Sequence, residues 1–390
     1  MTTRRHSAIA GTSCGDLIIA VSLVPAYFRD IIRGAAEFAH RAGWTVVFSD
    51  DTGLGETLKR SRPVGAIVSD GDSETINILR THGVYGVCIS SAHDFRGIPR
   101  VLADDVAMGR QAAEFFLQRG YRKLGCVGRP DRWFAWLRCK GFSETVKAAG
   151  LKCAEFPALT EWPAGWHRKE FDPAAIAEWV KRQPAPLALY HAVTDIKVIL
   201  ACRELGLRIP EDVALIAGDD DDIKCAASPV PLASVRMAGH RAGYVAAELI
   251  NERYGKPLDE KPALVLIPPA GVINRQSADA FAIEDPAVRA AVDFIQRNAR
   301  RPLQVSDAVE HCGISRRMLE RRFVNVLGRT LNDEILHAHL ALAKEYLSDT
   351  ELSVEQVAAV SGFTSAVYMA SVFRRELGIT PSEYRRRFRG

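Results

Sequence analysis

Residues Phe323–Thr330 read FVNVLGRT, and fifty positions later Phe373–Thr380 read FRRELGIT. Aligned, Phe323 meets Phe373, Leu327 meets Leu377, Gly328 meets Gly378 and Thr330 meets Thr380, while the residues between them change. A frame kept while the surface varies marks one structural unit used twice. Upstream the likeness continues: VSDAVEHCGIS (305–315) resembles VEQVAAVSGFT (354–364). Each copy reads as a short helix, a turn at Gly313 or Gly362, and a second helix. The first helix keeps Ala308 or Ala358 small where the helices cross. The second turns Leu319 and Phe323, or Met369 and Phe373, inward. Glycine at the turn supplies a positive φ, and Ser315 and Ser365 are placed to cap the second helices by accepting from free backbone N–H groups. This is a helix-turn-helix unit, which projects the outer face of its second helix.

The two projected faces differ. SRRMLERRF offers Arg316, Arg317, Glu320 and Arg321, whereas SAVYMASVF offers Ala366, Val367, Ala370 and Ser371. The net charge of +4 is not spread evenly. Residues 286–390 hold 16 Lys+Arg against 12 Asp+Glu, leaving 35 of each sign in the rest, and 15 of the 16 cations are arginine. A planar guanidinium suits phosphate oxygens and guanine edges, and small apolar side chains suit thymine methyls, so both faces are chemically fitted to a DNA major groove. Paired helices with a glycine turn also occur in plain helical bundles. Repeat, arginine bias and capping together favour the DNA reading.

These residues resemble the two-headed DNA-binding domain of the AraC/XylS regulators. GFTSAVYMASVFRRELGITPSEYRRR from Gly362 places Gly362, Phe363, Phe373, Gly378, Pro381 and Tyr384 where that family's pattern has them. The resemblance implies two recognition helices, Ser315 to Phe323 and Ser365 to Arg375, entering successive major grooves along one DNA face. By position, Arg316, Arg317, Glu320 and Arg321 face bases in the first. Ala366, Val367, Ala370 and Ser371 do so in the second, with Arg374 following. Those last positions are often longer and polar in the family, which implies a less selective second reader.

Ahead of the helical part, short apolar runs alternate with amphipathic ones, the rhythm of βαβ units. Strands are predicted at 16–23, 45–50, 65–70, 85–90, 123–128, 187–193 and 213–219, and glycine-terminated helices in RDIIRGAAEFAHRAG, VAMGRQAAEFFLQRG and GHRAGYVAAELINERYG. Continuous Val/Ile/Leu strands between helices imply a parallel sheet covered on both faces, with ligands at the carboxyl ends of the strands. About 270 residues are generous for one sheet, and two lobes around a cleft fit better. Residues 274–285, NRQSADAFAIED, lose the periodicity. The expected organisation is therefore a two-lobed α/β effector-binding domain (1–273), a linker (274–285) and an all-α DNA-binding domain with two helix-turn-helix units (286–390).

The α/β part resembles the effector domain shared by LacI-type repressors and periplasmic sugar-binding proteins. AVTDIKVILACRELGLRIPEDVALIAGDDDD (192–222), DDVAMGRQAAEFFLQRG from Asp104 and RCKGF from Arg138 carry the likeness. Fused ahead of an AraC-type reader, such a sensor has the layout of bacterial xylose operon regulators. Asp195 and Asp219 each follow an apolar strand, where a carboxylate can accept two hydroxyl hydrogen bonds while Arg138 donates to others, a chemistry that fits polyols. The resemblance makes these three, with Asp104 and Thr194, pocket candidates. Ser22, Tyr27, Asp70 and Ser91 join them as residues that follow strands, and Tyr27, Trp133 or Trp136 could stack on a pyranose ring. The run Asp219–Asp222 could equally be a solvated loop or a helix N-terminus.

The implied partners are double-stranded operator DNA, a monosaccharide such as xylose, a second copy of the chain, and RNA polymerase, with no membrane, cofactor or metal. Eight scattered cysteines without C-x-x-C pairs suit a reduced, cytoplasmic protein, and Asp16 interrupts the first apolar run, which argues against a signal peptide. Two other classes compete with this reading. A Rossmann-like enzyme lacks support: GLGETL at Gly53 fails the dinucleotide frame, and no phosphate-loop or nucleophile-elbow pattern occurs. The alternative of a ligand-independent DNA binder would keep the α/β domain for dimerisation only.

Overall fold

The computed structural model describes residues 15–49, 53–129, 131–156, 173–254, 262–283 and 285–388. The basic first residues and Cys14 lie outside the described residues. By contact the chain divides into two units, residues up to Asp104 with Ala238–Pro268, and Asp105–Met237 with Pro269 onward.

The chain begins the first unit with β1 (Asp16–Ala20), α1 (Ala26–Arg41), β2 (Thr45–Phe48), α2 (Leu54–Arg60), β3 (Pro63–Val68), α3 (Ser73–Thr81), β4 (Gly86–Cys88) and β5 (Arg100–Ala103). It then crosses to the second unit for α4 (Asp105–Gln118), β6 (Leu124–Val127), α5 (Trp133–Ala148), β7 (Cys153–Phe156), α6 (Pro173–Val180), β8 (Leu187–His191), α7 (Lys197–Glu204), β9 (Val213–Ala217), α8 (Asp222–Ala227) and β10 (Ala233–Arg236). It returns for α9 (Gly239–Arg253) and β11 (Leu264–Ile267), and crosses once more to β12 (Gly271–Ile273).

The first sheet runs β11-β5-β4-β3-β1-β2, and its pairs are parallel. The second runs β12-β10-β9-β8-β6-β7, parallel except for the antiparallel pair β10 and β12. All five residues of β8 and of β9 are buried, as strands covered by helices on both faces must be.

All seven strands expected from the sequence form, and among the described residues five more are present: β5, β7, β10, β11 and β12. Each is three or four residues long, too short a run to stand out in the sequence, and β7, β11 and β12 sit at sheet edges, where one ladder stays open.

Residues 274–283 do not hang free. The Ser277 hydroxyl donates to Leu215 O at 2.6 Å and accepts from Ala233 N at 2.8 Å, and Ala282 N donates to Arg119 O at 3.1 Å. Ile283 is buried among the helices that follow. The lack of periodicity reflects irregular backbone holding single side chains in place, which no hydrophobic pattern records.

The helical part comprises α10 (Pro286–Asn298), α11 (Val305–Cys312), α12 (Arg316–Leu327), α13 (Leu331–Asp349), α14 (Val354–Val360), α15 (Ala366–Leu377) and α16 (Pro381–Phe388). Two cores form. Leu319 and Phe323 of α12 pack with Val288, Ile295, Leu331 and Ile335, whereas Met369 and Phe373 of α15 pack with Leu340, Leu347, Val357 and Tyr384. The 19-residue α13 supplies both, giving Leu331, Ile335 and Ala338 to the first core and Leu336, Leu340, Ala343 and Leu347 to the second.

Candidate functional site

The two reading helices start as the sequence requires. Ser315 caps α12 by accepting from Met318 N, and Ser365 caps α15 by accepting from Tyr368 N. Gly313 and Gly362 both hold positive φ, 64° and 78°. The inward side chains Leu319, Phe323, Met369 and Phe373 are fully buried, which fixes the rotation of each helix. Arg316, Arg317 and Arg321 are exposed on α12, with Glu320 half-buried and accepting from Arg316 Nε at 2.8 Å. Val367, Ser371 and Arg374 are exposed on α15, and Ala370 is half-buried. Ala366 departs from expectation, because it packs against the second core as well as bordering the outer face. The exposed side chains that sequence reasoning does not single out include Met318 and Tyr368. They occupy the same register in the two copies, beside the inward Leu319 and Met369, and that register was the signal available.

In the first unit, Ser22, Asp70, Ser91 and Asp104 follow β1, β3, β4 and β5, which are neighbours in one parallel sheet, so the four share its carboxyl edge. Ser22 and Asp70 are exposed, Ser91 and Asp104 half-buried, and Asp104 N donates to Ile267 O at 2.9 Å. Tyr27 is half-buried in the first turn of α1.

In the second unit the carboxyl edge of β8 and β9 carries Thr194, Asp195 and Asp219, and α5, after β6, carries Trp133, Trp136 and Arg138. Helices α4 and α5 cross on glycines: a Cβ on Gly109 would lie 1.9 Å from Arg138 O, and one on Gly141 2.1 Å from Val106 O. That close approach sets Arg138 beside Asp105. Arg138 is only 3% exposed and does not stand open as the expected hydroxyl donor. Its Nε donates to Asp105 Oδ1 at 2.8 Å, and its Nη1 to Asp219 Oδ1 at 2.5 Å and to Ala192 O at 3.0 Å, while Nη2 meets the Met237 thioether at 3.5 Å. Burial disfavours its charge, but Asp219 and Asp105 outweigh that and hold the guanidinium pKa above its ordinary value. A buried arginine flanked by two carboxylates is thus a brace that aims Asp219, which is 31% exposed at its side chain.

Thr194 is a second brace. Its hydroxyl donates to Asp219 O at 2.7 Å and accepts from Asp219 N at 2.9 Å, so its hydrogen is already committed. Asp195 Oδ1 accepts from Lys197 N at 2.9 Å, opening α7. Trp133 and Trp136 are half-buried, with Lys140 Nζ 5.3 Å from the Trp136 ring centroid.

The acidic run divides its labour. Asp220 accepts from Ser234 Oγ and pairs with Arg236 and Arg275 at 2.9 and 2.7 Å. Burial would raise its pKa, but these hydrogen bonds and charges hold it below the usual carboxylate range. Asp221 caps α8 by accepting from Lys224 N. Asp105, the residue that anchors the network, was missed because DDVAMG offers two adjacent aspartates and sequence does not tell which one turns inward.

Helix α4 runs from this network to the helical part. At its far end Arg329, in the turn between α12 and α13, donates through Nη2 to Gln118 O at 2.6 Å and pairs with buried Glu334. The Arg119 guanidinium lies 3.5 Å from the Phe115 ring centroid and 5.3 Å from that of Phe281. On α16, Tyr384 donates its hydroxyl hydrogen to Ala270 O at 2.9 Å. Among the described residues no group of three or more His, Cys, Asp or Glu is arranged to hold a metal ion, and no helix is long and apolar enough to cross a membrane.

Residues 113–278 match the periplasmic binding protein-like domain and residues 309–387 match a helix-turn-helix domain. The chain therefore joins a periplasmic binding protein-like domain to an AraC-type helix-turn-helix domain, the domain pairing of a ligand-controlled DNA-binding regulator. Within that class it is similar to the xylose operon regulatory protein of Escherichia coli (strain K12), 26% identical over 379 residues that span 92% of this chain and 94% of the relative. In fold it is similar to the solved xylose-binding transcription activator XylR, with a TM-score of 0.57 at 24% identity over 97% of this chain and 100% of that one. The α/β part is also similar in fold to a periplasmic binding protein/LacI transcriptional regulator from Alkaliphilus metalliredigens QYMF complexed with D-xylulofuranose, with a TM-score of 0.51 at 18% identity over 69% of this chain and 100% of that one.

Proposed function

We propose that this chain is a sequence-specific transcription regulator whose grip on operator DNA is set by a small sugar, xylose first among the candidates, bound in the α/β module. The observation that carries the reading is the pair α12 and α15, equally framed and capped, each projecting its outer face from a core of its own. In this reading residues 1–273 bind the effector, 274–285 connect, and 286–390 read DNA. Asp219, aimed by Arg138 and Thr194, accepts sugar hydroxyl hydrogens, with Asp195 beside it. Tyr27, Trp133 and Trp136 offer ring faces, and Ser22, Asp70, Ser91 and Asp104 offer polar groups on the first sheet. The likeness to the xylose operon regulator supports the sugar, a homodimer suits paired operator half-sites, and RNA polymerase and the cytoplasm follow from the regulatory role.

The test is fluorescence anisotropy of the full chain on DNA from upstream of its own and neighbouring genes, with and without a panel of pentoses and hexoses. A change of about 5- to 150-fold in affinity with one sugar is expected. DNA binding indifferent to every sugar, together with no thermal shift by any of them, would favour the ligand-independent reading.

A further inference from the structure

We infer that α15 reads thymine methyl groups, so that the half of the operator under it is defined by its thymines while the half under α12 is defined by its guanines. This rests on the DNA-reading role proposed above and specifies what its second helix recognises. In register, Arg316, Arg317, Glu320 and Arg321 of α12 correspond to Ala366, Val367, Ala370 and Ser371 of α15. The order of chemistry along the helix is inverted. On α12 the charges lie in the first turns and Val324 follows, exposed, at the register where α15 has Arg374.

Val367 is 81% exposed, the most exposed of the large apolar side chains described. Its β-branch restricts it to few rotamers in a helix, so it projects as a fixed knob. Tyr368, 44% exposed, is held edge-on against Phe363 with ring centroids 5.9 Å apart. Ser371, the polar group one turn on, donates its hydroxyl hydrogen to Tyr368 O at 3.0 Å, which leaves oxygen lone pairs and a methylene facing outward. The first two turns of α15 therefore present rigid apolar surface with no charged donor. The next turn carries Arg374 and Arg375, the latter paired with Glu376 at 2.7 Å. Cations beside an apolar knob fit a polyanion with a methyl group to offer. In the major groove only thymine has one, and the first turns of a recognition helix are those that reach base edges.

The experiment uses the full chain and duplexes selected by it from a random library. Thymines are replaced by deoxyuridine, which removes only the 5-methyl group, in one half of the site at a time. In the half under α15, about a three- to fivefold loss of affinity is expected per contacted methyl removed. Val367→Ala should weaken binding to the thymine duplex by a similar factor and largely abolish the distinction from uracil, whereas Val367→Thr, of the same shape, should keep part of it. Uracil tolerated throughout, or a penalty unchanged in Val367→Ala, would overturn the inference while leaving DNA reading intact. The same holds if Val367→Ala alters only oligomeric state, seen by light scattering, since the knob would then be a protein contact. Recovery of no duplex bound above random DNA would overturn the DNA reading and this inference with it.

Discussion

Asp105 and Asp219 flank one guanidinium, yet they differ in what their loss should do. Asp105 is almost fully buried, and Asp105→Asn removes one partner of a buried ion pair, so unfolding free energy should fall by about 3–5 kcal/mol in urea titrations. Asp219 is partly open to water, and Asp219→Asn should cost a smaller 1–3 kcal/mol, roughly the figure for a hydrogen bond to a charged group, while abolishing sugar-induced thermal stabilisation. Equal stability losses would deny the division of roles. His191 gives a pH signature. It is buried with neither ring nitrogen hydrogen-bonded among the described residues, and burial lowers its pKa, offset in part by Asp195 at 3.6 Å. The unfolded chain then takes its proton first on acidification, so the stability due to neutral His191 is complete above about pH 6.5 and declines as pH falls toward the lower folded value. The urea midpoint should drop from pH 8 to pH 5.5, and His191→Gln should flatten that drop. An unchanged slope would assign the effect elsewhere. At this scale the sequence brings Asp219 and Thr194 to one sheet edge but does not show what holds them, because a side chain's partners come from other segments. Arg138 looks like a free donor until α4 arrives with Asp105.

The two helix-turn-helix units were legible nearly to the residue, because caps, turn glycines and inward apolar positions are all local signals that agree. The exposure of Tyr368 and Met318 is signalled only by their shared register in the two copies, since each by itself, an apolar residue beside a buried one, reads as core. Among the described residues neither Arg317 nor Arg321 has an ion-pair partner, while Arg316 is steadied by Glu320. Replacing Arg317 or Arg321 by alanine should cost about 1–3 kcal/mol on the selected operator if the side chain forks onto a base. Anisotropy on random duplex provides the control: a loss of the same size there would make that arginine a phosphate contact. The α/β half was legible as a class and less so in detail. Central strands such as β8 and β9 are unbroken runs of five buried residues, whereas the edge strands β7, β11 and β12 are only three or four residues long and largely outside the core, too short to stand out as a pattern.

For the molecule as a whole, the sequence suggested a sensor joined to a reader by a linker, but residues 274–283 are stitched to the second sheet and its helices through Ser277, Ala282 and Ile283. Helix α4 adds a stiffer connection, with Asp105 of the Arg138 network at one end and Gln118, held by Arg329, at the other. Arg329→Lys keeps a charge beside Glu334 but loses the planar fork whose separate nitrogens reach Glu334 and Gln118 O at once. It should leave sugar binding and DNA binding within about twofold of the parent, while reducing the free energy that links them by about 0.5–2 kcal/mol. Measuring DNA affinity at zero and saturating sugar checks this, and an undiminished ratio would place the link elsewhere. Finally, α13 belongs to both helical cores, and a single rod of 19 residues is about 28 Å long, close to the roughly 34 Å between successive major grooves on one side of the duplex. A gauge of that kind cannot be stretched. Five base pairs inserted between the two subsites would carry the second to the far side of the DNA and cancel its contribution, whereas ten would restore the phase but leave the tooth out of reach.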